Sequence, residues 1–127
     1  IADAVGEALI GDGLDTVGLL GTSFTMERPF YTGRLKERFG IGALIPESDE
    51  RNQVHRIIYQ ELCRGVVDDS SKHTYLKMMD GLGRKGAQAI VLGCTEIGLL
   101  VGEEDTKIPL YDTARLHAEA AVEWMLE

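Results

Sequence analysis

The sequence predicts an α/β fold: a four-stranded, mainly parallel sheet with helices on both faces, in three layers. Several short apolar runs show no alternation of polar residues, which is typical of strands buried on both faces. These runs alternate with amphipathic helical patterns, and parallel strands need such crossover helices. At 127 residues the chain fits one compact domain.

Each predicted strand is a short apolar run bounded by glycine, proline or polar turn residues. The first is entered through Gly11-Asp12-Gly13, Pro46 stops the second, and Ala89–Gly93 is the clearest. The predicted strands cover residues 16–21, 42–45, 89–93 and 108–111.

The predicted helices begin at capping residues and carry an apolar stripe. They cover Ile1 to Ile10, Ser23 or Thr25 to about Phe39, Ser48 or Asp49 to about Gly65, Ser71 to Lys85, Thr95 to Leu100 and Thr113 to Leu126. In the last helix, the inward candidates are Ala118, Ala121, Val122 and Met125. Cys63 lies beside Leu62 and is interpreted as a core residue.

Charge and composition exclude several classes of protein. The net charge is −8 and the basic residues do not cluster, so we expect no nucleic-acid partner. No apolar run approaches the roughly 20 residues that a bilayer crossing needs, so we expect no membrane partner. Two cysteines in dissimilar contexts suggest a reducing cytoplasm. Because the chain starts at Ile1 and shows no leader, we expect a processed or truncated protein.

Cys94 follows the clearest strand and precedes a short helix. In parallel sheets ligands bind beyond the carboxyl ends of the strands, so this is where chemistry is expected. A helix N-terminus favours a thiolate, and Gly93 lets the backbone turn sharply. A buried cysteine is also often only a small hydrophobic residue. From these residues alone, both interpretations stay open.

The segment Ile90–Leu100, IVLGCTEIGLL, resembles the second cysteine motif of the aspartate and glutamate racemases. That motif has two aliphatic residues, a spacer, Gly or Ala, then Cys-Thr and an acidic residue or His. The resemblance is closest to the aspartate racemase branch, because glutamate racemases usually have His where Glu96 stands. Other segments match in order and spacing: Gly18–Thr22 with Thr25-Met26, Ile45–Glu47, Ile57–Gly65, and Asp112-Thr113 with His117.

The resemblance covers nearly the whole chain and implies a cofactor-independent amino-acid racemase. That family has two similar, flavodoxin-like α/β domains with the active site between them, and each domain supplies one strand-end catalytic residue, usually Cys. Residues 1–127 would then be the C-terminal catalytic half, inactive alone. The implied partners are an acidic amino acid, the missing N-terminal domain and further copies in a homo-oligomer. Neither a cofactor nor a metal is implied.

By this resemblance Cys94 is one acid/base of a pair, and Glu96 orients it or relays its proton. Thr95 would bind a substrate carboxylate together with Thr22 and Thr25, although all three could simply cap helices. Glu96 could equally be a solvated acid of the first helical turn.

Four further residues receive weaker roles. Arg64 could reach the side-chain carboxylate of the substrate, although a solvated cation at a helix end is the simpler interpretation. Asp112, Thr113 and His117 resemble a packed polar network behind the site. The other histidines, His55 and His73, are placed on surface faces without a partner.

Two alternatives remain. A related decarboxylase would use only the later cysteine, as a proton donor to a planar intermediate. A non-catalytic flavodoxin-like binding domain would be indicated by acidic residues at the end of the first strand, where Gly21-Thr22-Ser23 stands.

Overall fold

The computed structural model describes residues 2–27, 29–94 and 96–126, without the side chains of residues 2, 24, 29, 30 and 124. It contains four strands in these ranges, each overlapping a predicted one: β1 (Thr16–Leu20), β2 (Gly42–Leu44), β3 (Ile90–Leu92) and β4 (Leu110–Asp112). The fourth begins later than predicted. Pro109 has no backbone N–H, and it contributes only its carbonyl, which accepts from the Ile90 amide at 2.9 Å.

All four strands are parallel, and their order is β2-β1-β3-β4. Gly18 of the central strand β1 pairs with Leu44 on one side and Ile90 on the other. The chain therefore leaves β1 for one edge of the sheet and later crosses to its other side. The point where the strand order reverses lies between β1 and β3, and such a point is the usual ligand position in open α/β sheets.

The helices lie near their predicted positions. They are α1 (Ala2–Gly11), α2 (Ser23–Glu27), α3 (Pro29–Phe39), α4 (Ser48–Gln60), α5 (Asp69–Arg84), α6 (Ile97–Leu100) and α7 (Thr113–Leu126), with 3-10 turns at Leu62–Arg64 and Glu103–Asp105. The helix predicted from Ser23 to Phe39 is helical over Ser23–Glu27 and Pro29–Phe39, and residue 28 lies outside the described residues.

Two helix starts differ from the predictions. Glu47 precedes α4, and its amide donates to the Glu50 carboxylate at 3.4 Å, so neither Ser48 nor Asp49 is the cap. The carboxylate of Asp68 caps α5 by accepting from the Ser70 amide at 2.7 Å.

The sheet separates two apolar cores, which confirms the three-layer prediction. On one face α4 and α5 cover β1 and β3, and the buried Tyr75 hydroxyl donates to the Val54 carbonyl at 2.9 Å. On the other face α1 and α3 pack on the sheet through Val5, Leu9 and Leu35. None of the helices in the described ranges has the length and apolar character that crossing a membrane requires.

Cys63 was predicted to lie in the core, and this is wrong: it is exposed. The α-helical path ends at Gln60, and the chain continues as a 3-10 turn that closes at Gly65 with φ of 78°. A 3-10 turn has three residues per turn, so Leu62 stays buried while its neighbour points outward.

The inward stripe predicted for α7 is also wrong. Val122 and Met125 are 54% and 76% exposed, and Ala118 and Ala121 are exposed too. The helix packs on α1 and on β4, and it enters the core through the part-buried Leu116. Its C-terminal half therefore presents apolar side chains that no other described element covers.

Candidate active site

Three turns at the carboxyl ends of the strands lie along one edge of the sheet. Thr22 follows β1, Cys94 follows β3, and Thr113 begins α7 directly after β4. Because the strands are all parallel, their carboxyl ends share this edge. The predicted placement of these three residues is confirmed, and Cys94 is part-buried rather than sealed in the core.

The ends of β1 and β3 approach each other closely at this edge. The Gly93 amide donates to the Leu20 carbonyl at 2.7 Å. A Cβ atom on Gly93 would lie 3.1 Å from both that oxygen and the Thr25 methyl carbon. A side chain at position 93 would thus push Thr25 away. The glycine lets the turn carrying Thr25 contact the turn carrying Cys94.

The Cys94 thiol donates a hydrogen bond to the Glu96 carboxylate, with 2.7 Å between Sγ and Oε2. Burial raises the pKa of Cys94 to about 12, and the hydrogen bond and negative charge of Glu96 act in the same direction. The Glu96 backbone amide has the opposite effect but is outweighed. The four-residue α6 is too short to reverse this balance. At neutral pH Cys94 is therefore a thiol.

Thr22 and Thr25 form a second polar group beside the cysteine. Their hydroxyl oxygens are 3.3 Å apart, and the Thr25 amide donates to the Thr22 hydroxyl at 3.4 Å. The capping side chain of α2 is thus Thr22, rather than Ser23 or Thr25 as predicted. Both hydroxyls are part-buried at the carboxyl edge of the sheet.

His55 was predicted to lie on the surface without a partner, and this is wrong. Its Nδ1 accepts from the Ser23 backbone amide at 2.9 Å, and its ring lies 4.7 Å from the Tyr59 ring. In the sequence, the only local indication of this contact is that His55 directly follows Val54, at the border of the buried stripe of α4. The contact itself joins residues that are 32 positions apart.

Two members of the predicted polar network lie where β4 passes into α7. The buried Thr113 hydroxyl donates to the Leu92 carbonyl at 2.9 Å, tying β4 to β3. Asp112 caps α7 by accepting from the Ala114 amide at 2.9 Å. His117 is exposed and forms no hydrogen bond with them among the described residues.

Two further residues, Arg64 and Thr95, were predicted to bind substrate. Arg64 ends the 3-10 turn, is exposed, and forms no ion pair among the described residues. Thr95 lies outside the described residues.

The carboxyl edge is open rather than enclosed. A small cavity of about 170 Å³ lies between the ends of β3 and β4, with Asp112 in its wall. A larger one, about 510 Å³, lies along β4 beside Tyr111 and does not include Cys94. Within the described part of the chain, no group of three His, Cys, Asp or Glu side chains is arranged to hold a metal ion.

The chain resembles two solved structures over 99% of its length. One, from Yersinia pestis and provisionally named an Asp/Glu racemase, is 44% identical with a TM-score of 0.96. The other, an aspartate racemase homologue from Pyrococcus horikoshii OT3, is 30% identical with a TM-score of 0.91. The chain spans 55% of the length of each. An uncharacterised Pectobacterium carotovorum protein is 28% identical over 126 residues, which are 98% of this chain and 82% of that protein.

The family model for Asp/Glu/hydantoin racemases matches residues 1–121, nearly the full length. The chain belongs to the Asp/Glu/hydantoin racemase family.

Proposed function

We propose that this chain supplies one of the two acid/base groups of a PLP-independent racemase acting on aspartate or glutamate, and that the group is Cys94. The observation that carries the proposal is the hydrogen bond between the Cys94 thiol and Glu96, at the end of β3 beside the switch point. Proton donors and acceptors are the groups that racemisation requires.

The protonated state of Cys94 suits the donor half of the reaction. A base on the opposite face of the substrate takes the α-proton, and the carbanion then accepts the S–H proton of Cys94 on this face. In the reverse direction Cys94 must first lose its proton, and Glu96 is the acceptor within 2.7 Å. Glu96 thus orients the thiol in one direction and relays its proton in the other.

Substrate recognition is proposed to use the hydroxyls beside the thiol. Thr22 and Thr25 would donate to the α-carboxylate, with Thr95 next to Cys94 as a third donor. Arg64, exposed and without an ion pair among the described residues, would receive the side-chain carboxylate. A cation is needed there because the protein as a whole is acidic.

The opposite-face base is proposed to come from an N-terminal half, so residues 1–127 would be the C-terminal half of a two-domain enzyme. Alone, this chain would not racemise, because it carries one base. We further propose a homo-oligomer working in the cytoplasm, where the two free cysteines would stay reduced.

A cysteine-dependent decarboxylase is a second candidate, favoured by one observation: Cys94 is held as a thiol, and a decarboxylase needs only a proton donor. Incubation of the full-length protein with each enantiomer of aspartate and glutamate in heavy water separates the two. A racemase gives the opposite enantiomer with deuterium at Cα. A decarboxylase releases carbon dioxide and a shorter amine. Neither product from any of the four substrates would refute the racemase proposal.

A further inference from the structure

His55 reaches the candidate site from outside the strand ends. It lies on α4, yet its Nδ1 accepts from the Ser23 amide at 2.9 Å, in the turn directly after Thr22. Ser23 opens α2, and an amide in the first turn of a helix has no partner within that helix. A side chain 32 residues away satisfies it.

The same face of α4 also holds the other end of α2. Arg51, one helical turn before His55, forms an ion pair with Glu27 at 3.2 Å, and its guanidinium donates to the Pro46 carbonyl at 2.8 Å. The segment Ser23–Glu27 is therefore held to α4 at both ends.

The contact at Ser23 bears directly on the two threonines. Thr22 precedes Ser23, and the Thr22 hydroxyl is held by the Thr25 amide and hydroxyl at 3.4 and 3.3 Å. If the Ser23 amide lost its acceptor, the turn that carries both hydroxyls would lose its hydrogen bond to α4 at this end, and the Met26 amide bond to the Thr22 carbonyl at 3.0 Å would remain among the described residues. The aim of substrate-binding donors matters because small displacements weaken binding strongly.

We propose that His55 is a positioning residue for substrate binding: by accepting from the Ser23 amide it fixes the Thr22 and Thr25 hydroxyls beside Cys94. This inference rests on the proposed racemase function. Because Nδ1 accepts, the neutral ring carries its proton on Nε2. His55 touches no reacting atom, so it affects the recognition of substrate rather than the transfer of the proton.

The test compares three variants of the full-length protein. In His55→Asn the amide oxygen stands where Nδ1 stands and restores the acceptor, whereas His55→Gln places its oxygen one bond further out and His55→Leu has none. His73→Leu, a change of an exposed histidine on α5, is the matched control. The readouts are KM and kcat for racemisation, together with the Ser23 amide chemical shift.

We expect His55→Leu and His55→Gln to raise KM about tenfold while kcat changes less than about twofold, consistent with the loss of one hydrogen bond. His55→Asn should recover the original KM and the original Ser23 shift, and His73→Leu should change neither. If His55→Leu does not fold, the difference in KM between His55→Asn and His55→Gln tests the positioning role.

Three results would overturn the inference. An unchanged KM in both His55→Leu and His55→Gln, with wild-type activity present, refutes the positioning role and leaves the racemase proposal intact. If His55→Asn and His55→Gln lose kcat equally, His55 has a catalytic or a purely structural role instead. No racemisation by the wild-type protein refutes the proposed function, and the positioning role falls with it.

Discussion

Two opposing influences act on the Cys94 proton, and their balance decides what the residue can do. The end of a helix and the Glu96 backbone amide favour a thiolate, whereas burial and the Glu96 carboxylate favour a thiol. The thiol is favoured, with a pKa raised to about 12. Cys94 therefore starts as a proton donor, and it can accept a proton only after it has lost its own.

Replacing Cys94 by serine should abolish racemisation in the full-length protein. A hydroxyl is far weaker than a thiol as an acid near neutral pH, so neither direction of proton transfer is supported. The change in volume is small, and we expect the free energy of unfolding to change by less than about 1 kcal/mol. Polarimetry with each enantiomer, together with urea unfolding, provides the two measurements.

Cys63→Ser is the matched control for that substitution. Cys63 is exposed, so no core contact is lost and turnover should stay near the original rate. Near-normal racemisation by Cys94→Ser would show that Cys94 is not the acid/base group.

Glu96→Gln should lower the pKa of Cys94 from its raised value. The amide carries no charge and accepts the S–H more weakly, so the thiolate becomes less unfavourable. Iodoacetamide reacts with thiolates, so its reaction with Cys94 between pH 8 and 10 should be faster in the variant. Mass spectrometry resolves labelling at each cysteine, and exposed Cys63 is the internal reference. Equal labelling rates at Cys94 with and without Glu96 would show that the carboxylate does not control the thiol.

Elements differ in how far their sequences determine them. β3 and β1 were predictable because a strand buried on both faces needs a continuous apolar run, and Ile90–Leu92 has one. The stripe of α7 was misassigned because helical spacing shows which residues share a face, not whether a neighbour covers that face. The contact from His55 to Ser23 depends on how α4 docks beside α2, and no local pattern records that.

The start of α7 should be sensitive to the loss of one hydroxyl. Thr113→Val keeps the shape of the side chain but leaves the buried Leu92 carbonyl without its donor, so we expect about 1–3 kcal/mol of destabilisation. Thr74→Val on α5, where the exposed hydroxyl bonds to the Ser70 carbonyl of its own helix, should cost less than about 0.5 kcal/mol. Urea unfolding of both variants measures the difference. If both variants lose a similar free energy of unfolding, the hydrogen bond from Thr113 to the Leu92 carbonyl contributes little to stability.

At the scale of the whole molecule, the exposed apolar residues of α7 form a surface suited to association. Val122, Met125 and Leu126 are 54%, 76% and 82% exposed along one helix. Such a patch favours association, so the 127-residue chain should self-associate at high concentration. The double change Val122→Glu with Met125→Glu should restore a monomer while leaving the free energy of unfolding within about 0.5 kcal/mol. Sedimentation equilibrium checks this, and a strictly monomeric original chain would contradict it.

The strand order also affects when the chain can fold as it leaves the ribosome. β1 and β2 are made early and can pair, but the other side of β1 must wait for β3, since Gly18 pairs with Ile90. Until then one edge of an apolar strand is unpaired, and closing so long a loop is slow. Only when β3 emerges does the Cys94 turn meet the Thr25 turn, so the candidate site is assembled in the second half of synthesis, and the pairing of β4 with β3 follows it.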